Sequence, residues 1–554
     1  LAKDPYALGT SEVKIGFGGS LLATQDLHLI SVDLESGSRL ETYGSLYVAK
    51  EFDVTAGARV NIGGLLDAAD IRIETGGMLT SHDVSSRKLV VENGAVWNMN
   101  EDRTSTIDVS DYVELHGGSR ITGVALLIHG DLLLQPDHGA NAVLDGTIKI
   151  GTNASLNLSH LTDDGEGGHY RSNLYITADG ALLLEPHDGI VLTPEETNYF
   201  LGAGNDHYMH IATMEQGGRF GIEPSPGVVT ALTAGNSVQV NLAAGLGYMV
   251  DATLSLRPMA DSSDLNEVVL QLSHKTDAPA YIWDGAYSGN WNNPANDNIW
   301  SMGESSAWSD NALFDAAASA EAGRDAVYFL ETARTTDGGG NVSYHYVNPD
   351  AAGVFNRAKY VNIQGDVWCD SITVDVDRLY DMTLDQYRFN LGYLFYSVDQ
   401  QTGKQGDGAI TDYYIHLGTG EAISSKRYEE LSAAEKADYG ARQRTSITKN
   451  GTGVLTLSTD NDFSGDVRLN SGTIFITNEN ALGTSHVYME DGTSLNVNYI
   501  FENKGSSNYR NPYLYNEITI NDGVPLGDDT LGNIGGGKGS NVTIGYNPVS
   551  VLDF

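Results

Sequence analysis

The side chains best suited to chemistry lie in one Gly-rich stretch. His160, Asp163, Asp164, Glu166 and His169 all fall within HLTDDGEGGHY. Carboxylates suit calcium and imidazoles suit zinc, and the glycines would let the segment fold around a cation. The plainer reading of the same residues is a solvated loop that leaves the main fold. A second set is aromatic. Trp283, Trp291 and Trp300 stand among Asn and Asp in YIWDGAYSGNWNNPANDNIW, and four of the six Trp fall within residues 283–308. They form a candidate ligand-binding surface on which a sugar could stack. They could equally form a core that closes the open end of a sheet. Carboxylate pairs such as Asp108 with Asp111, or Asp375 with Asp377, have the chemistry of glycan hydrolysis. With 73 acidic residues such pairs arise by chance, so no catalytic residue is assigned. Asp460-Asn461-Asp462 is an acidic turn that could take calcium. Cys369, beside Trp368, reads as a small buried hydrophobe. The run Gly535 to Gly539 contains Lys538 but lacks the ending and the helix of a phosphate loop. The chain contains no Gly-x-Ser-x-Gly elbow, no His-Glu-x-x-His zinc motif and no Gly-Gly-x-Gly-x-Asp calcium nonapeptide. No cofactor is therefore expected, and calcium is the cation the acidic loops could hold.

Composition narrows what could position these groups. The chain has 554 residues, too many for one compact globule, so several domains or one elongated solenoid is expected. Its 64 Gly exceed the usual share of roughly 7%, and its 29 Tyr outnumber Phe and Trp together. That composition suits strands joined by glycine turns. The 73 acidic against 32 basic residues give a formal charge of −41. A charge of that sign opposes nucleic acid and anionic membrane surfaces. The single Cys excludes an internal disulfide. No apolar run is long enough for a transmembrane helix. The opening LAKDPYALGT shows neither Met nor a signal peptide, which reads as processing or excision.

The elements repeat. Small-Gly-small turns recur at Gly37, Gly57, Gly76 and Gly94, about twenty residues apart. Between and beyond them lie alternating strands such as 46–48, 71–73, 89–91, 112–115 and 147–150, with one face inward and one outward. The period breaks at 160–170 and again at 193–200, where Thr193, Pro194 and Glu196 predict a capped short helix. Strands return over 209–272, with 268–272 the last of that block. Further strands are expected at 326–330, 360–363, 371–376 and 413–417. Lys426 to Arg444 reads as one helix, with Ser432 and Glu435 spaced as a capping box. Three strands follow in 445–483, set between the turns Asn450-Gly451, Ser464-Gly465 and Ser471-Gly472. The strands 494–497, 517–520 and 541–544 follow them.

That last stretch resembles the autotransporter-associated β-strand repeat of large secreted bacterial proteins. The marked residues are Lys449, Gly451, Gly453, Leu455 and Leu457, then Asn461, Phe463, Ser464 and Gly465. Gly472, Asn480, Ala481, Leu482 and Gly483 complete the set. The resemblance covers about forty residues. The Trp set from Trp283 to Trp300 also looks like the segment that joins such repeats. Together with the periodicity, the resemblance implies an all-β chain built as a right-handed parallel β-helix, or β-solenoid, with loop and short-helix insertions. Three segments are expected: 1–275, loose coils; 276–444, a Trp-rich junction and β region with a helical insertion; 445–554, the repeat and further coils. The low Cys count also suits passengers, which are exported unfolded.

The implied function is a secreted or surface-displayed bacterial passenger, a scaffold or adhesin of the outer-membrane surface. Its partners would be a host or matrix glycan or protein surface and an outer-membrane translocator barrel outside this chain. Alternatives are a polysaccharide lyase or hydrolase on the same scaffold, and a self-associating filament or matrix protein.

Overall fold

A computed structural model of the chain describes residues 12–99, 107–128, 131–135, 140–150, 155–158, 171–184, 189–202, 208–225, 228–243, 245–259, 262–279, 281–284, 299–300, 326–347, 360–363, 365–377, 388–392, 408–478, 480–490, 493–497, 516–520 and 543–546. The fold is all-β, with short α-helices at Pro194–Leu201, Ser425–Glu429 and Ala433–Lys436 among the described residues. The chain divides into two compact units. The first holds Leu1–Ala243 and Val250–Lys275, and the second holds Ala244–Met249 and Thr276–Phe554. Among the described residues no helix is long and apolar enough to cross a membrane.

In the early repeats of the first unit, strands pair in parallel with strands about twenty residues further on. Each repeat contributes three short strands. Glu12–Ile15 pairs with Ser31–Leu34, Ser20–Ala23 with Arg39–Thr42, and Leu27–Leu29 with Leu46–Val48. The turns between them are set by glycine. Ser38, Ala58, Gly77 and Ala95 each donate an N–H to the carbonyl three residues back. The residue before each donor is a glycine at φ between 69° and 75°, where a side chain would be strained. Alternation then sorts the side chains. Leu40, Val60, Leu79, Trp97, Ile121 and Leu144 follow one another in register and are all buried. A second inward column runs Val32, Phe52, Ile71, Leu89, Val113 and Leu132. Burying such a side chain contributes on the order of 2 kcal/mol, and the columns give each repeat several. Trp97 fits because its indole N–H donates to buried Ser81 Oγ at 3.0 Å.

The parallel pattern does not continue to residue 272. Strands form there, but their pairing reverses. Leu265–His274 lies antiparallel to Met209–Glu215, and Val228–Ala231 lies antiparallel to Arg219–Ser225. Val250–Pro258 joins them as an antiparallel neighbour of both Ser237–Leu242 and Leu265–His274. Apart from the first of these pairs, each joins strands consecutive in the chain. A short turn can join antiparallel neighbours, whereas parallel neighbours need a long crossover. The reversal puts Leu265–His274 against the edge strand Met209–Glu215, which would otherwise be open. Beside it lies the helix Pro194–Leu201, with the reciprocal capping box of Thr193 and Glu196 that the sequence predicts.

The second unit contains two parallel ladders. One runs Tyr281–Ile282, Val327–Leu330, Ser371–Asp375, Ser446–Asn450, Val467–Leu469, Val487–Met489 and Ile518–Ile520. The other runs Ile299–Trp300, Tyr360–Ile363, Arg388–Gly392, Val454–Leu457, Thr473–Ile476, Ser494–Val497 and Thr543–Tyr546. The first ladder crosses Arg444 without a break in pairing, from Ser371–Asp375 to Ser446–Asn450. An insertion precedes that strand. It comprises the hairpin Tyr413–Ile415 with Ala422–Ser424 and the short helices Ser425–Glu429 and Ala433–Lys436. The single helix expected over 426–444 is therefore two pieces. Ser432 forms the expected capping box with Glu435, and the cap starts a new helix instead of reinforcing a continuous one.

Candidate binding surface

The marked residues of the 445–483 stretch build the backbone. Lys449 sits inward in an otherwise apolar column, between Val374 and Leu469, with Phe329, Met489 and Ile520 further along. It is fully buried. Its ammonium donates to the carbonyl oxygens of Asn450 and Gly451, the latter at 2.6 Å, and so closes the turn after the strand. Asn461 is buried and uses both ends of its amide. Its Oδ1 accepts from Ile410 N at 2.9 Å and from Thr459 Oγ1 at 2.8 Å, while its Nδ2 donates to Ala481 O at 2.7 Å. Phe463, Ala481 and Leu482 fill the core beside it. Gly465 is required by close approach, because a Cβ there would run into the carbonyl oxygen of Thr445. Gly472 has φ of 70°, and its missing Cβ makes room for the carbonyls of Gly451 and Gly453.

Ser464 ties the stretch to the insertion. Its N–H donates to Asp412 Oδ1 at 3.0 Å and its hydroxyl to Asp412 Oδ2 at 2.5 Å. The same buried carboxylate accepts from Thr445 N at 3.0 Å and Arg442 Nε at 2.7 Å. One Asp thus holds the two ends of the insertion and the turn of the repeat together. Asp462, of the candidate calcium turn, meets Ser425 Oγ at 2.7 Å and Arg442 at 3.7 Å. On the outer side of the insertion, Tyr414 stacks on Tyr428 with centroids 3.6 Å apart, and Tyr439 packs edge-on to Tyr428.

Asp375 and Asp377 lie next to this network. Asp377 accepts from Thr452 N at 3.0 Å. Burial raises Asp375 from 3.8, the negative charge of Asp377 raises it further, and Lys449 opposes both. Burial lowers Lys449 from 10.5, and Asp375 and Asp377 pull it back up. Both groups are thus moved toward their neutral forms. Tyr248 covers them, its hydroxyl accepting from Asn450 Nδ2 at 3.0 Å, and burial pushes its own pKa up. The polar atoms of this cluster meet backbone and neighbouring side chains.

An open surface lies in the first unit. A groove of about 840 Å³ crosses several repeats, lined by His28, Tyr47, Asp67, Ser85, Arg87 and Ser110 over a floor that includes Val48, Ala49, Ala68 and Ala69. His28, Tyr47, Asp67 and Ser85 are outward positions of successive strands in direct register. The His28 and Tyr47 rings stack at 4.4 Å and are nearly coplanar in tilt, at 3°. Arg87 is held by a two-pronged pair with Asp70, at 3.1 and 2.8 Å.

The residues singled out in the sequence fall elsewhere. Trp283 is fully buried and packs against Phe329 with centroids 5.6 Å apart, so it offers no ring face to a sugar. Trp291 lies outside the described residues, and of Trp300 only the backbone is described, in the strand Ile299–Trp300. His160, Asp163, Asp164, Glu166 and His169 also lie outside them, as does the run Gly535 to Gly539. Among the described residues no group of three His, Cys, Asp or Glu is placed to hold a metal.

The geometry of the 445–483 stretch can now be set beside known families. Residues 447–474 match the passenger-associated-transport-repeat. The chain carries an autotransporter passenger repeat. No curated protein matches the chain. The match includes Lys449, Asn461, Phe463, Ser464, Gly465 and Gly472, whose physical roles are the carbonyl clamp, the buried amide, the core aromatic, the Asp412 contact and the two close approaches. In this chain, then, the passenger repeat is a device for stacking one turn of backbone on the next.

Proposed function

We propose that this chain is a surface-displayed autotransporter passenger that works by contact and not by catalysis, as a scaffold or adhesin. Its two units are read as right-handed parallel β-helical stacks with inserted loops and short helices. The observation that carries the reading is the use of the repeat's marked residues. Lys449, Asn461, Ser464 and the glycines are occupied by backbone, core or Asp412, which suits a structural repeat. Binding would then belong to the outward positions and the insertions, where side chains vary without breaking the ladder. Export places the chain outside the cell, with a translocator barrel as its membrane partner. A charge of −41 keeps such a chain soluble at an exposed surface.

Latex beads coated with the purified chain test the reading. Retention on epithelial monolayers and on matrix-coated glass is expected to exceed that of beads carrying the heat-denatured chain. Equal retention, or new reducing ends or unsaturated products when the chain is incubated with a polysaccharide panel, would overturn it in favour of a glycan-active enzyme.

A further inference from the structure

We infer that the groove of the first unit binds a linear, neutral glycan that runs across the strands, along the line of His28, Tyr47, Asp67 and Ser85. The inference rests on the adhesin reading and names the class of ligand for it. Four successive strands each place one side chain on this line, in direct register. Strands stack about 4.8 Å apart, so the line offers contacts at even steps over about 14 Å. Even steps along a straight line match a polymer and not a compact metabolite.

Backbone pairing decides against a peptide added as a strand. Leu46–Val48 is paired on both sides, by Leu27–Leu29 and Leu65–Ala68, and Leu65–Ala68 is paired in turn by Asp83–Val91. Of the groove's strands only Leu27–Leu29, at its end, is paired on one side alone among the described residues, so the face along Tyr47, Asp67 and Ser85 offers no ladder edge for such an addition. The occupant must therefore be read by side chains. Those present are mixed in the way a sugar is mixed. Asp67 is exposed, has no ion-pair or hydrogen-bond partner among the described residues, and offers acceptors. The serines can donate and accept. Ala49 and Ala69 are exposed beside the stacked rings and give C–H faces a dry contact.

Charge disfavours an anionic ligand. The positive charge of Arg87 is already met by Asp70, with Asp111 at 3.8 Å. Asp67 and the overall charge of −41 repel a polyanion.

The test is an array of neutral linear oligosaccharides of graded length, with acidic oligosaccharides and lysine-rich peptides as further arms, probed with the purified full chain. Binding to one neutral series is expected to strengthen with length and then level off once the ligand spans the four side chains. Tyr47→Ala and Asp67→Asn should each weaken it by about tenfold or more, as removal of a central contact does. Arg468→Ala, on the second unit, should leave it unchanged. Asp67→Asn is isosteric and exposed, so it carries the test even if Tyr47→Ala lowers the melting temperature. No neutral glycan retained, retention only of acidic glycans or peptides, or neutral binding indifferent to both groove variants would each overturn the assignment. Coated beads that still adhere while the groove is silent would remove the groove assignment and leave the passenger reading standing.

Discussion

At the residue scale, Lys449 illustrates how this fold uses a charged group. A buried cation is costly, and here it is repaid only by two backbone carbonyls and two nearby carboxylates. If the carbonyl clamp is its role, Lys449→Met leaves those oxygens without a donor. A loss of about 1–3 kcal/mol is expected in urea melts of the full chain. Unchanged or higher stability would mean that an apolar side chain of similar length serves the column better. Glu196 gives a pH signature in the other unit. It accepts from Thr193 N at 2.8 Å, yet burial outweighs that bond and pushes it up from 4.5 to about 7. A carboxyl whose folded pKa is raised binds more protons in the folded state than in the unfolded one. Its contribution is therefore full at acid pH and is lost as pH rises from about 4.5 to about 7, by on the order of 3 kcal/mol. Glu196→Gln should flatten the melting temperature across that window. A slope that survives the substitution would assign it to other groups.

At the element scale, the ladder tolerates no Cβ at its tightest crossings. Gly465→Ala and Gly472→Ala each push a methyl into carbonyl oxygen, the second also at positive φ. Each is expected to cost about 1–3 kcal/mol, read as a lower melting temperature. Gly338→Ala, in open space, should be within about 0.5 kcal/mol of the parent. Local chemistry of this kind was legible in the sequence. The boxes at Thr193 and Ser432, and strands such as Tyr360–Ile363 and Ser494–Val497, follow from residues a few positions apart. What depends on distant residues was not. The helix over 426–444 looks continuous by propensity, but Asp412, Arg442 and Ser464 fix the ends of the insertion, and Ser432 restarts it. The reversal to antiparallel pairing was not legible either, because alternation of side chains reads the same for both strand directions. Trp283 could be read as a core residue or as a sugar platform, because exposure is not written in residue type; the structure buries it. The groove was hidden because His28, Tyr47, Asp67 and Ser85 meet only through pairing across about twenty residues each time.

At the scale of the whole molecule, charge and export shape the expectations. Carboxylates of successive repeats lie close together. Asp53 is raised by burial first and then by Glu74 and Glu51. With a net charge of −41, added salt should screen more repulsion than attraction, so the melting temperature should rise between low ionic strength and about 0.15 M. A fall would show that surface pairs such as Arg87 with Asp70 outweigh the excess. The central claim is that the passenger repeat belongs to a chain displayed outside the cell. The direct measurement is antibody labelling and protease shaving of intact cells of the bacterium that makes it, with an antibody raised against the purified full chain. The account predicts labelling of unbroken cells, and loss of that signal when protease is added outside. Signal that appears only after lysis would contradict it.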